Sequence, residues 1–390
     1  LFFLSGLTAL VGEVVWMRML GLVLGNTVWA ASAAVAVWMG DMALGSRLGA
    51  RLATRSSHQL RWYGLAEALI GTFYLASPAL HALLLRLGSI VGADLGANPA
   101  LGMLQRFTLA VVALMVPTVL MGLTLPLLVE RMRGRGLAAR VSLLYGINTL
   151  GAASGVFVAA YVLLPLLGER GSLTAAAIVA ATVGVVAILA ESSVPRATDA
   201  APAAAVSKAH QPYLFLVAAM GLSALAAELV WVRILVLHLG SRVYAFALLL
   251  GVYLLGIAIG SFALRALAPR ISNPKRALAW VQLSLAVALV AQLAALGFAG
   301  DLIVGITQIF RLPATFAAVQ GVFFVAVALL FMPVTVLFGA SFPLAVAADP
   351  VQRSAGEHAG VIAAANTVGG IVGAMAAPFL LVPWLSLIHI

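Results

Sequence analysis

Apolar residues in this chain do not alternate with polar ones; they come in long runs separated by short polar breaks. A run of about 20 apolar residues crosses the ~30 Å hydrocarbon layer of a membrane as a helix. Eleven such runs can be marked, at 2–24, 28–50, 62–86, 106–129, 141–167, 172–191, 213–237, 243–266, 277–299, 318–346 and 359–385. The one long polar stretch, 192–212, is rich in Ala, Pro and Ser and reads as a flexible linker. The first run is a true span and not a signal-peptide core, because Glu13 and Arg18 interrupt it and no small-residue cleavage site follows. The pattern predicts an all-α polytopic membrane protein.

The runs are written twice. A shift of 215 positions lays Gly6, Glu13, Trp16 and Arg18 on Gly221, Glu228, Trp231 and Arg233, and 14 of the 25 positions from 6 to 30 are then identical. Small slips carry the match onward. Gly45-Ser46 falls on Gly260-Ser261, Gly122 and Pro126 on Gly339 and Pro343, Asn148-Thr149 and Gly151 on Asn366-Thr367 and Gly369, and Pro165 on Pro383. Six spans separate equivalent points, and an even number means that both copies enter the membrane in the same direction. Two parallel six-helix halves joined by a central loop are the plan of the major facilitator transporters. The expected organisation is a first repeat over 1–191, a cytoplasmic linker over 192–212 and a second repeat of five helices over 213–385, with the twelfth helix missing. Residues 386–390 read as a non-native tail.

Composition agrees with a membrane chain: 64% of the 390 residues are hydrophobic and 9% charged, against about 25% charged in soluble domains. A net charge of +10 would point to nucleic acid in a soluble protein, but here the bases gather in loops, which excludes that partner. The loops after spans two, four, six, eight and ten, with the span ends beside them, hold 15 Lys and Arg, and the opposite side holds five. The positive-inside bias therefore puts the amino terminus and the even loops in the cytoplasm, with the lipid bilayer as first partner. The absence of Cys excludes disulfides and thiolate chemistry, and the six His show no ligand spacing, so no metal site and no cofactor are expected.

Charged groups inside the spans are the candidates for chemistry, since each costs at least ~2.5 kcal/mol unless paired or wetted. Glu13 lies near the middle of span one, and its copy Glu228 in span seven. Glu228, Arg18, Arg233, Asn148 and Asn366 recur in both halves and read as structural groups, Arg18 reaching for the outer interface and the Asn-containing small-xxx-small faces packing helices. Positions that break the repeat point to function instead: Asp41 stands where the second half has Gly256, and Glu67 where it has Gln282. Ten residues separate Asp41 from Arg51, so Asp41 lies ~15 Å from the boundary, near the depth of Glu13. Trp16 is three residues from Glu13 and Trp38 three from Asp41, so each acid is given an indole on its own face. Carboxylates beside aromatic faces suit an organic cation. The substrate-binding set expected is Asp41, Trp38, Glu13, Trp16 and Glu67; no catalytic residue is expected. Paired prolines, Pro117 with Pro126 and Pro333 with Pro343, should kink spans four and ten.

The runs Phe3-Leu4-Ser5-Gly6-Leu7-Thr8-Ala9-Leu10, Glu13-Val14-Val15-Trp16-Met17-Arg18, Met39-Gly40, Leu44-Gly45-Ser46, Leu125-Pro126-Leu127 and Asn148-Thr149-Leu150-Gly151 resemble the membrane portion of spermidine-synthase-like membrane proteins, which fuse a major-facilitator bundle to a spermidine-synthase domain. Arg51-Leu52-Ala53-Thr54-Arg55 is similar to the facilitator loop signature, with Thr54 in place of its Asp. The resemblance implies a bacterial inner membrane as the location, and transport or channelling of polyamines or related cationic metabolites. It equally implies an alternative, a non-transporting anchor for a downstream cytosolic aminopropyltransferase-like domain, or an enzyme whose chemistry lies in that domain. None of that domain's acidic residues or its glycine-rich loop has a counterpart in the sequence.

Overall fold

At membrane depth no water satisfies a free backbone group, so the apolar runs fold as helices. The structure, a computed structural model, describes residues 1–24, 28–94, 99–132, 136–191, 210–239, 242–311, 315–349 and 354–381, and no strand occurs among them. The helices are α1 (Phe2–Leu24), α2 (Val28–Arg55), α3 (Gln59–Asp94), α4 (Pro99–Arg131), α5 (Leu137–Val158), α6 (Leu164–Ala190), α7 (His210–Leu239), α8 (Arg242–Leu267), α9 (Pro274–Leu296), α10 (Ala299–Phe310), α11 (Phe316–Ala348) and α12 (Ala355–Ala376). Each predicted span has its helix, and α10 is an addition. The linker ends earlier than expected, since α7 begins at His210; its residues 192–209, and the tail 386–390, lie outside the described residues.

Nine described stretches are by themselves long and apolar enough to cross a membrane. One of them, Leu137–Ala190, holds 54 residues and takes in both α5 and α6, with the helix broken inside α6 at Gly168, φ 65°. That is a left-handed conformation which glycine adopts without a Cβ penalty. The short α10 packs Leu302, Ile303 and Ile306 against Val322 and Ala326 of α11 and leaves Val304, Ile309 and Phe310 exposed.

The duplication reappears as packing. Helix α1 lies on α5 as α7 lies on α12, α2 on α4 as α8 on α11, and α3 on α4 as α9 on α11. Two further contacts join the halves in the same symmetric way: α2 meets α12, and α5 meets α8. Glycines allow the backbones to touch. A Cβ on Gly6 would strike the Asn148 carbonyl, and one on Gly221 the Asn366 carbonyl; Gly151 and Gly369 face the carbonyls of Phe3 and Ala218 in the same manner. This is the small-residue packing by which membrane helices associate.

The prolines of α4 and α11 sit inside continuous helices rather than at breaks. Pro343 has no N–H for the Gly339 carbonyl four residues back. Ser261 Oγ of α8 donates to that carbonyl at 2.9 Å, so the neighbouring helix supplies the missing bond. The halves also meet at both ends of the bundle. Glu130 Oε2, at the end of α4, accepts from Gly356 N in the first turn of α12 at 2.7 Å, where the helix dipole favours an anion. At the opposite end Tyr161 Oη donates to Gln320 Oε1 at 2.8 Å.

Candidate functional site

Where the two sets of helices face each other they leave a cavity of about 340 Å³, within the range of small-molecule sites. Helices of both halves wall it, α1 to α5 on one side and α7, α8, α11 and α12 on the other. Three carboxylates stand in the wall, Glu13, Glu67 and Glu228, and among the described lining residues there is no Lys, Arg or His. The remainder is apolar and aromatic, with a few neutral polar groups such as Asn148, Thr149, Ser341, Asn366 and Thr367.

Glu13 on α1 and Glu228 on α7 are partly exposed, and both line the cavity, one from each half. Neither has a hydrogen-bond partner among the described residues, so no neighbouring helix holds either acid in the way expected of a purely structural group. Glu67 is 1% exposed and accepts a hydrogen bond from Ser5 Oγ of α1. Because α3 begins at Gln59, Glu67 belongs to its third turn and lies deeper than its place near the start of the predicted span implies. Its repeat partner Gln282 donates to Ser341 Oγ at 3.0 Å.

Asp41 is 9% exposed, and its Oδ2 accepts from Thr118 Oγ1 of α4 at 3.1 Å. It is not a lining residue; Trp38, Met39 and Met42 of the same helix are. In the second half Gly256 packs directly on Thr335, the repeat partner of Thr118, so the acid and its hydrogen bond replace a bare backbone contact. Trp16 also turns away from the cavity. Its Nε1 donates to Ser77 Oγ of α3 at 3.0 Å, and its ring lies 5.6 Å from Trp38 and 5.2 Å from Tyr74. The expected set is therefore divided: Glu13, Glu67 and Trp38 share the cavity, whereas Asp41 and Trp16 stand behind its wall.

Arg18 lies in the second half of α1, and its Nε is 2.9 Å from Glu169 Oε1, next to Gly168 in α6. Arg233 repeats Arg18, but no counterpart of Glu169 lies among the described residues. Asn148 Nδ2 donates to the Phe2 carbonyl at 3.1 Å, and thereby ties α5 to α1. No grouping of three His, Asp or Glu side chains able to hold a metal occurs among the described residues.

No protein-family model matches the chain, and no curated protein matches it. Solved structures do. The chain is similar to FucP, a major facilitator superfamily transporter in its outward conformation, with a TM-score of 0.57, 14% identity, and coverage of 97% of this chain and 88% of that one. It is also similar to a bacterial homologue of the iron transporter ferroportin in the outward-facing state, with a TM-score of 0.52, 13% identity and coverage of 97% and 91%. These comparisons supply no link to a spermidine synthase. Eleven long helices, the paired packing of their two halves and a likeness spanning nearly the whole chain lead to one statement of kind: this is a multi-pass membrane domain with the major-facilitator fold.

Proposed function

We propose that the protein is a carrier for organic cations, with polyamines as the substrate class, and that the cavity between its halves is the binding site. The observation that carries this reading is the charge of the wall. A chain of net charge +10 lines its central cavity with three carboxylates and with no described base. Uncompensated carboxylates at membrane depth are costly and belong to pathways that a cation or proton visits. Glu13 supplies the charge, Trp38 an aromatic face for an ammonium, and Glu67, held by Ser5, a second acidic point further along the wall. Asp41 acts from behind, by fixing α2 on α4 through Thr118 and so setting the position of Trp38. In this reading the amino terminus and the even loops lie in the cytoplasm of a bacterial cell.

The test is binding by purified protein. Spermidine at millimolar concentration should raise the melting temperature and give a calorimetric isotherm, and Glu13→Gln should abolish both. No effect on the wild type would overturn the cation reading and favour the alternative, a membrane anchor for an aminopropyltransferase-like domain.

A further inference from the structure

We propose that Glu13 and Glu228 form a two-carboxylate clamp for a dication, one ammonium on each half, so that the site prefers diamines and longer polyamines over monoamines. The inference rests on the carrier reading and adds to it a residue, Glu228, and a rule of selection.

The repeat places the two acids at equivalent positions of α1 and α7, and the fold brings both to one cavity from opposite halves. The other acids of the region have partners: Glu67 accepts from Ser5, and Asp41 accepts from Thr118 outside the wall. Glu13 and Glu228 have none among the described residues. Nearby hydroxyls do not take their place. Tyr74 of α3 gives its proton to the Thr8 carbonyl at 2.8 Å, and Tyr253 of α8 also stands in the wall. Tyr145 of α5 is the remaining titratable side chain in the wall.

Two carboxylates that line one low-dielectric cavity without a hydrogen-bond partner are each unfavourable as charges until a cation arrives. A monoammonium answers one of them and leaves the other uncompensated. A diammonium answers both, and its methylene chain lies against the apolar wall of Leu10, Leu225, Leu250 and Leu254.

The test is a calorimetric titration of the purified protein with putrescine, its monoamine analogue butylamine, and spermidine. The wild type should bind putrescine at least about tenfold more tightly than butylamine, the scale of one charge pair. Glu228→Gln, which keeps size, should remove the preference, so that putrescine and butylamine bind the variant within about threefold of each other. Glu228→Asp, which keeps the charge, should retain the preference. A wild type that binds both amines equally, or a Glu228→Gln protein that keeps the preference, overturns the clamp while the carrier reading stands. If no amine binds to the wild type, both readings fall. Melting temperatures of the variants within a few degrees of the wild type show that the comparison is made on folded protein.

Discussion

At Gly151 an added methyl group would land on the carbonyl of Phe3, and at its repeat partner Gly369 on that of Ala218. Overpacking a backbone contact of this kind costs about 1–3 kcal/mol, more than the helix propensity that alanine gains over glycine. Gly151→Ala and Gly369→Ala should therefore both lower the melting temperature in detergent. Gly305→Ala in α10, where nothing lies within reach of the new methyl, should raise it slightly. Asp41 gives a second test at this scale. Asparagine can still accept from Thr118, so Asp41→Asn should leave stability and spermidine binding nearly unchanged. Asp41→Leu should cost about 0.5–1.5 kcal/mol, the net contribution of one hydrogen bond, because the hydroxyl of Thr118 keeps the Leu114 carbonyl, at 2.7 Å, as an acceptor. The sequence singled out these acids but not the side to which each points. A spacing of three residues leaves two side chains about 60° apart around a helix. That angle is enough to send Glu13 into the cavity and Trp16 into α3, and Trp38 into the cavity and Asp41 onto α4.

Among the elements, the pairing of Ser261 with Pro343 admits a double-mutant cycle. Ser261→Ala should cost about 1–2 kcal/mol in the wild type, because it leaves the Gly339 carbonyl without a donor. In a Pro343→Ala background the helix regains its own N–H for that carbonyl, so the same change should cost almost nothing. Equal costs in the two backgrounds would show that the serine is not repairing the proline. The sequence marked these prolines but could not show which neighbour would satisfy the freed carbonyl. The break at Gly168 in α6 was legible, since the apolar runs stop at 167 and resume at 172 on either side of it. Helix α10 was not. Its twelve residues are too few to span a membrane, and the stripe of Leu302, Ile303 and Ile306 gains meaning only once Val322 and Ala326 of α11 lie opposite it.

For the whole molecule, the duplication was the most readable feature, because a repeat in sequence requires a repeat in packing. The contacts of α1 with α5 and of α7 with α12 follow from it directly. The cavity could not be read in the same way, since it depends on how the halves face each other. The absence of cysteine allows the orientation to be tested by labelling. A single cysteine in place of Ser56, just past the end of α2, should react with an impermeant thiol reagent only from the cytoplasmic side. Labelling in intact cells would reverse the topology. The central claim, that the acidic cavity carries cations across the membrane, is tested most directly by uptake of radiolabelled spermidine into proteoliposomes. The account predicts saturable uptake above that of protein-free vesicles, lost in Glu13→Gln; uptake no faster than in protein-free vesicles would contradict it.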